Sequence, residues 1–390
     1  MKEEDKYMIK FQRCNRCIMD NVSDDNIRFD QDGNCNYCTA ALAVKPYRYF
    51  PNKEGKMKLQ QLLTVLKNEG KDKEFDCIMG ISGGLDSAYL AYLGAAKWGL
   101  RILAVHIDDG FDTELAKKNV KDLVEKANIT LVTIKPDEEQ FLDLNRAFFY
   151  AEVPNLAIPQ DNVLFAALYD FARKKKIKYF LSGQNFSLES ILQSGNTHSA
   201  YDFVHIKAIH KLFGTKPMNK LPLISWQRRM IDNRILHLKT ITPLDYIDYN
   251  KARAIKELHD FSGFTYYEAK HLENILTKVI QLVWFKEKFK VDKRTSHLSS
   301  LIISEQLTRD EALRLYEQPA YDKDKMEKDI AFVLDKLQIS REEFDRILKN
   351  PPKQHADYKT SYFLDVWTNP SKLILLKKLK RFLRKFFSSK

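Results

Sequence analysis

Between residues 56 and 70 the apolar positions Met57, Leu59, Leu62, Leu63 and Leu66 recur three and four apart, which predicts an amphipathic helix. The pattern then changes character. Apolar runs at 75–81, 101–108, 129–134 and 178–182 predict short buried strands, and 87–98, 113–127 and 160–175 between them read as helices. Strands alternating with helices of this length build a parallel sheet with helices on both faces, joined by right-handed crossovers. Ligands of such sheets bind beyond the carboxyl ends of the strands. Past about residue 200 the alternation stops. Leu272, Ile275, Leu276, Val279, Ile280 and Val283 make one face of a long helix, and 308–316 and 329–337 predict further helices. This half is expected to cover the open end of the sheet and to supply a second substrate's pocket. The predicted division is an N-terminal module over 1–55, an α/β domain over 56–200, a mostly helical substrate or partner region over 201–366 and a tail over 367–390, with an irregular link at 46–55.

The first predicted strand runs straight into Ser82-Gly83-Gly84-Leu85-Asp86-Ser87, and an apolar helix follows. Strand, tight turn and helix, with Asp86 or Ser87 near the N-cap, is the local expectation. Gly83 and Gly84 let the backbone approach a ligand with no Cβ between, and the unpaired N–H groups of a helix start attract anions. There is no Gly-Lys-Ser/Thr ending and no Gly-x-Gly-x-x-Gly, so two commoner phosphate loops are excluded. The arrangement resembles the PP-loop of the ATP pyrophosphatases, the fold family of asparagine synthetase, GMP synthetase, NAD synthetase and tRNA thiolation enzymes. The resemblance implies an adenine nucleotide alpha hydrolase-like domain. Its loop, with Ser82, Gly83, Gly84, Asp86 and Ser87, would hold the β,γ-pyrophosphate of ATP while the α-phosphate is attacked.

Polar residues collect after two other strands, at Asp108-Asp109-Gly110-Phe111-Asp112 and from Ser182-Gly183 to Ser190. Carboxylates beside a triphosphate repel it unless a cation intervenes, which points to Mg²⁺ held by Asp86, with Asp108 or Asp109 behind it. A helix-capping role for 108–112 stays open. Ser182 and Gly183 offer a second backbone approach to the phosphates or the adenylate.

The chain has five cysteines, and four of them form Cys14-x-x-Cys17 and Cys35-x-x-Cys38. Two such knuckles predict a closed tetrahedral site for a structural Zn²⁺. The fifth, Cys77, falls inside a strand and reads as a small buried residue. The first residues, Met1 to Lys6, lack the apolar stretch of a secretory signal, so a cytoplasmic protein is expected. The net charge of +12 invites a nucleic-acid partner, but eight Lys or Arg and no acid between 371 and 390 leave +4 for the rest. On that distribution no nucleic acid is expected. In the tail Leu375, Leu376, Leu379, Phe382, Leu383, Phe386 and Phe387 fall at helical spacing against Lys and Arg. Such a helix could lie peripherally on the inner face of an anionic membrane, or dock on the protein's own body or a partner subunit.

Three segments together carry a narrower resemblance. They are Arg13 to Asp20 with Cys35 to Cys38, the loop from Ser82 to Ser87, and Tyr266-Tyr267-Glu268-Ala269-Lys270-His271-Leu272-Glu273-Asn274 leading to Asp292-Lys293-Arg294-Thr295-Ser296-His297. The combination resembles the N-acetyl sugar amidotransferases of bacterial surface-polysaccharide biosynthesis, over about 12–320. The resemblance implies that an acetamido group on a sugar, nucleotide-linked or not, becomes an acetamidino group for O-antigen, capsule or other surface glycan. It also implies ammonia from a separate glutaminase with a cyclase-like partner, and no cysteine here is placed to act as an internal glutaminase nucleophile. Catalytic roles are expected for Asp86, His271, Glu273 and Arg294. Lys270, His271, Asp292, Lys293, Arg294 and His297 are expected to hold the sugar substrate. The rival is a tRNA-modifying, thiolation-type PP-loop ATPase, which usually needs spare reactive cysteines. A non-enzymatic zinc-bearing scaffold that merely binds nucleotide is a third reading.

Overall fold

The computed structural model describes residues 10–24, 26–267 and 272–361 of the chain. Strands β1 (Cys77–Gly80), β2 (Ile102–Ile107), β3 (Thr130–Ile134), β4 (Tyr179–Leu181) and β5 (Lys239–Ile241) form one parallel sheet in the order β3-β2-β1-β4-β5. Met79 of β1 pairs with Ala104 of β2 on one side and with Leu181 of β4 on the other. Alternate side chains enter different cores. Cys77, Met79, Ile102, Ala104, Tyr179 and Leu181 pack with the helix Leu85–Tyr92, whereas Ile78, Leu103, Val105 and Phe180 pack with Ala166, Ala167, Leu168 and Ala172 of the helix Ile158–Lys174. A sheet covered on both faces explains why the central strands read as unbroken apolar runs.

Four strands stand where the hydrophobic pattern predicts them. The fifth does not follow from it, because β5 is three residues long and places Lys239 and Thr240 in solvent. Its position matters, since the carbonyl of Ile241 accepts from the Ser182 N–H at 2.9 Å and so holds the loop after β4. The chain turns outward in opposite directions from β1, through β2 and β3 on one side and through β4 and β5 on the other. This leaves a crevice at the carboxyl ends of β1 and β4.

The helical half packs against helices of the α/β part in a shared core around Phe149, Leu276, Val283, Trp284, Val333 and Phe344. The helix foreseen from 272 starts at Ile275, capped by Asn274, and continues through a wide turn at Ile280–Trp284 to Phe289. In the N-terminal module the helix Asn36–Arg48 runs through Pro46, so the connection to the helix Lys53–Gly70 is shorter than the predicted link. The fold is thus a PP-loop-like parallel α/β core with an N-terminal four-cysteine cluster and a largely helical C-terminal region. No helix of the described residues is long and apolar enough to cross a membrane. The tail over 367–390, with its proposed membrane contact, lies outside the described residues, as do Lys270 and His271.

Candidate active site

The loop after β1 takes its shape from two glycines. Gly83 has φ +84°, a left-handed conformation that favours glycine, and Gly84 is the N-cap of the helix Leu85–Tyr92. Asp86 and Ser87 therefore sit inside the first turn rather than at the cap. Gly84 N–H donates to Ser82 Oγ at 3.2 Å, and Ser87 Oγ donates to the Gly84 carbonyl at 3.1 Å, which closes the turn on itself. Gly183, in the loop after β4, backs directly onto this helix start. A Cβ there would stand 3.2 Å from Asp86 C and Ser87 N. Ser182 is tied down by Ile241, and its Oγ accepts from Gln184 N–H at 3.2 Å.

A cavity of about 500 Å³ opens at this point. Ser82, Gly84, Asp86, Ser87 and Gly183 line it together with Glu273, which touches the loop, and with Arg294, His297, Leu298, Leu301, Tyr266, Tyr267, Glu189 and Lys251. First-turn N–H groups have no acceptor within a helix and would face an anion bound beside the loop. Two residues not singled out beforehand position Asp86. The Tyr249 hydroxyl donates to Asp86 Oδ1 at 2.5 Å, and Asn185 Nδ2 donates to the same oxygen at 3.3 Å. Burial and the adjacent Asp86 carboxylate raise the Tyr249 phenol well above its usual range, so it stays a donor. Tyr249 is far from the loop in sequence and lies in no motif, whereas Asn185 caps a short helix directly after Ser182-Gly183 and was within reach of the pattern.

Arg294 is held on the cavity wall by charge pairing. Asp292 takes Arg294 through Nε at 3.1 Å and Nη2 at 2.7 Å, Arg294 Nη1 reaches the Gln318 carbonyl at 2.7 Å, and the guanidinium lies 4.9 Å from the centre of the Tyr316 ring. Asp292 thus orients Arg294 and does not line the cavity itself. Lys293 points elsewhere, its ammonium 4.4 Å from the centre of the Phe285 ring. Burial brings its pKa down to about 8, against the opposing pull of Asp24. Asp108 is part-exposed at the end of β2 and is not on the cavity wall.

Behind the wall lies a polar network that joins the two halves. Asn274 Nδ2 donates to Asp109 Oδ1 and to Asp112 Oδ1, both at 3.1 Å, and Gln160 Nε2 donates to Asp109. Burial first, and the Asp112 charge second, push Asp109 up to about 6. His106 Nδ1 lies 2.8 Å from the Ile81 carbonyl and Nε2 lies 2.9 Å from Asp112 Oδ2. With an acceptor at each nitrogen, the ring is best served by the imidazolium form. Burial lowers its pKa, but Asp112 and the Ile81 carbonyl together outweigh that and raise it. A folded pKa above the unfolded value of about 6.5 gives stability that is complete below that value and is lost as pH rises through the folded pKa. His106→Gln is therefore expected to remove a fall in the urea midpoint that sets in as pH rises above about 6.5. The same slope in both proteins would count against the imidazolium.

In the N-terminal module Cys14, Cys17, Cys35 and Cys38 are fully buried, and their sulfurs all lie within 4.8 Å of one another. Cys14 and Cys38, and Cys17 and Cys35, are 3.6 Å apart. Zinc–sulfur bonds of about 2.3 Å in a tetrahedron space their sulfurs by roughly 3.8 Å. An iron–sulfur cube would hold four cysteine sulfurs roughly 6.4 Å apart. The donor set therefore fits a single thiophilic ion. The module braces the cavity wall, because Ile18 N–H donates to Ser299 Oγ at 3.2 Å and Arg309 Nη2 donates to the Cys14 carbonyl at 3.0 Å. Ser299 belongs to the helix Arg294–Ile303, whose other side presents Arg294, His297, Leu298 and Leu301 to the cavity.

Comparison with known proteins adds the following. Residues 273–373 match the family described as LPS biosynthesis protein WbpG-like, C-terminal domain. No curated protein matches the chain. Among solved structures, NMN synthetase from Francisella tularensis is similar at 16% identity over 69% of this chain and 98% of that one, TM-score 0.27. NH3-dependent NAD synthetase from Campylobacter jejuni, in complex with the nitrate ion, aligns at 16% identity over 69% and 99%, TM-score 0.29. The U34-tRNA thiolase NcsA from Methanococcus maripaludis, with its 4Fe–4S cluster, aligns at 14% identity over 80% and 90%, TM-score 0.32. A protein named for acting on tRNA thus stands among the similar structures, and the expectation of no nucleic-acid partner, which rested on charge distribution alone, is withdrawn. The physical reason is that a net charge of +4 outside the tail averages over a whole surface and does not exclude a local basic face.

Proposed function

We propose that the chain uses ATP to activate an amide oxygen. The amide carbon of an acetamido group is a poor electrophile because its oxygen is a poor leaving group. Attack of that oxygen on the α-phosphorus forms an oxygen–phosphorus bond and expels pyrophosphate, giving an O-adenylyl imidate. Ammonia then forms the carbon–nitrogen bond, the carbon–oxygen bond breaks to release AMP, and proton loss leaves an acetamidino sugar. The observation that carries this reading is the single cavity that joins the glycine loop to Glu273, Arg294 and His297. Those three belong to the stretch that matches a family named for lipopolysaccharide biosynthesis.

In this reading Ser82, Gly84, Ser87 and the first-turn N–H groups receive the phosphates. Asp86, oriented by Tyr249 and Asn185, would hold Mg²⁺, which offsets the charge of the departing pyrophosphate. Arg294, fixed by Asp292, and His297 orient the acceptor, and confinement of the reactants in one cavity supplies much of the rate. The four cysteines would hold a structural Zn²⁺.

A second reading, sulfur transfer to nucleic acid, is favoured by the cysteine module beside such a loop. It lacks a sulfur carrier among the described cavity residues, and Cys77 is fully buried in β1, its thiol pushed up by burial and by Asp76. One experiment separates the two. The protein is incubated with ATP, Mg²⁺, ammonium and N-acetylated sugars or sugar nucleotides, and in parallel with tRNA and a sulfide source. Amidine formation matched by AMP and pyrophosphate is the expected result. AMP formed only in the presence of tRNA would establish the second reading, and nucleotide turnover with no amidine would remove the first.

A further inference from the structure

Glu273 lies against the loop that the proposed function gives to ATP. Its Oε1 accepts from Ser82 Oγ at 3.2 Å, and a Cβ on Gly84 would stand only 2.5 Å from that oxygen. The side chain is 8% exposed. A carboxylate is thus packed into the space that the missing Cβ leaves, at the positive end of the helix Leu85–Tyr92. That space is where an anion would meet the loop.

The placement is enforced from outside the loop. Thr113 N–H donates to the Glu273 carbonyl at 3.0 Å, and Ile275 N–H donates to the Phe111 carbonyl at 2.8 Å. Asn274, between them, spans Asp109 and Asp112. Residues 273–275 are in effect zipped to the loop after β2. A triphosphate and this carboxylate cannot share the loop without a repulsion large enough to change affinity by roughly tenfold or more.

We infer that Glu273 is an internal stand-in for phosphate: its carboxylate fills the anion seat of the loop, and ATP binds by displacing it and opening the zipper between 273–275 and 111–113. The inference rests on the ATP reading of the loop. Tyr267, which donates to the Gly83 carbonyl at 3.1 Å, and Leu272 lie on the same stretch and line the cavity, so displacement would reshape the acceptor end as ATP enters.

Titration calorimetry on the full chain tests it, with inorganic pyrophosphate and with ATP, each in EDTA and in Mg²⁺. Glu273→Gln keeps the size of the side chain and removes its charge, and it is expected to bind pyrophosphate in EDTA roughly tenfold tighter or more. Unchanged or weaker binding would overturn the inference, and a loss confined to Mg²⁺ conditions would make Glu273 a metal ligand instead. Asn274→Ala leaves the carboxylate but loosens the zipper, and a smaller gain in affinity is expected. Hydrogen exchange on the unaltered protein gives an independent readout. ATP should lower protection at the Thr113 and Ile275 amides, and equal or greater protection would overturn the displacement. If wild type and both variants bind neither ATP nor pyrophosphate, the ATP reading itself falls and the inference with it.

Discussion

Asp86→Asn is expected to lower ATP-dependent AMP formation by about a hundredfold to a thousandfold while leaving the thermal midpoint close to that of the native chain. The substitution keeps shape and removes one negative charge at the start of a helix. If Asp86 holds the cation that offsets pyrophosphate charge, the loss falls on turnover more than on folding. Tyr249→Phe supplies the internal control. It deletes the hydroxyl that donates to Asp86 at 2.5 Å and leaves the ring stacked 5.4 Å from Tyr89, so about a tenfold loss is expected, the worth of one positioning hydrogen bond. A Tyr249 variant as damaged as the Asp86 variant would mean that the phenol itself takes part in the chemistry. An Asp86→Asn protein with full turnover would remove Asp86 from the site.

Cys17→Ser should have the largest effect on stability. One zinc per chain is expected by elemental analysis of the native protein, and removal of a ligand should destabilise the module by several kcal/mol, because binding such an ion is largely folding free energy. The damage should not stop at the module. Ile18 ties it to Ser299 of the helix Arg294–Ile303, and Arg309 donates to its Cys14 and Cys17 carbonyls, so Arg294 and His297 lose their backing when it unfolds. Loss of metal should therefore abolish acceptor-dependent turnover even though no cysteine lines the cavity. A native protein without bound zinc, or one with the visible absorption of an iron–sulfur cluster, would refute the assignment. Retained acceptor turnover in the metal-depleted protein would refute the bracing role.

The local part of the site was legible along the chain because its signals are local. A strand that breaks at paired glycines, and cysteines separated by two residues in two knuckles, are features of neighbouring residues, and both form as expected. The cap falls two or three residues before the expected Asp86 or Ser87, since Gly84 takes the extended N-cap conformation and places both in the first turn. Tyr249 and His106 were not foreseen, and Asn274 closes the stretch from Tyr266 without having been given a role. Each acts across the fold, on Asp86, Ile81 or Asp109. Arg294 and Lys293 are adjacent and both were expected to hold the substrate, yet Asp292 turns one toward the cavity while Phe285 receives the other.

Short-range pattern thus set the strand–helix alternation, the anion-binding turn and the thiol ligands, because each depends on backbone geometry within a few residues. Chain topology set the rest. The crevice between β1 and β4, the three-residue β5 that fixes Ser182, and the juxtaposition of Glu273 with Gly84 require segments far apart in sequence to pack together. Burial decides those contacts, and which buried partner a polar side chain meets is not written in its neighbours.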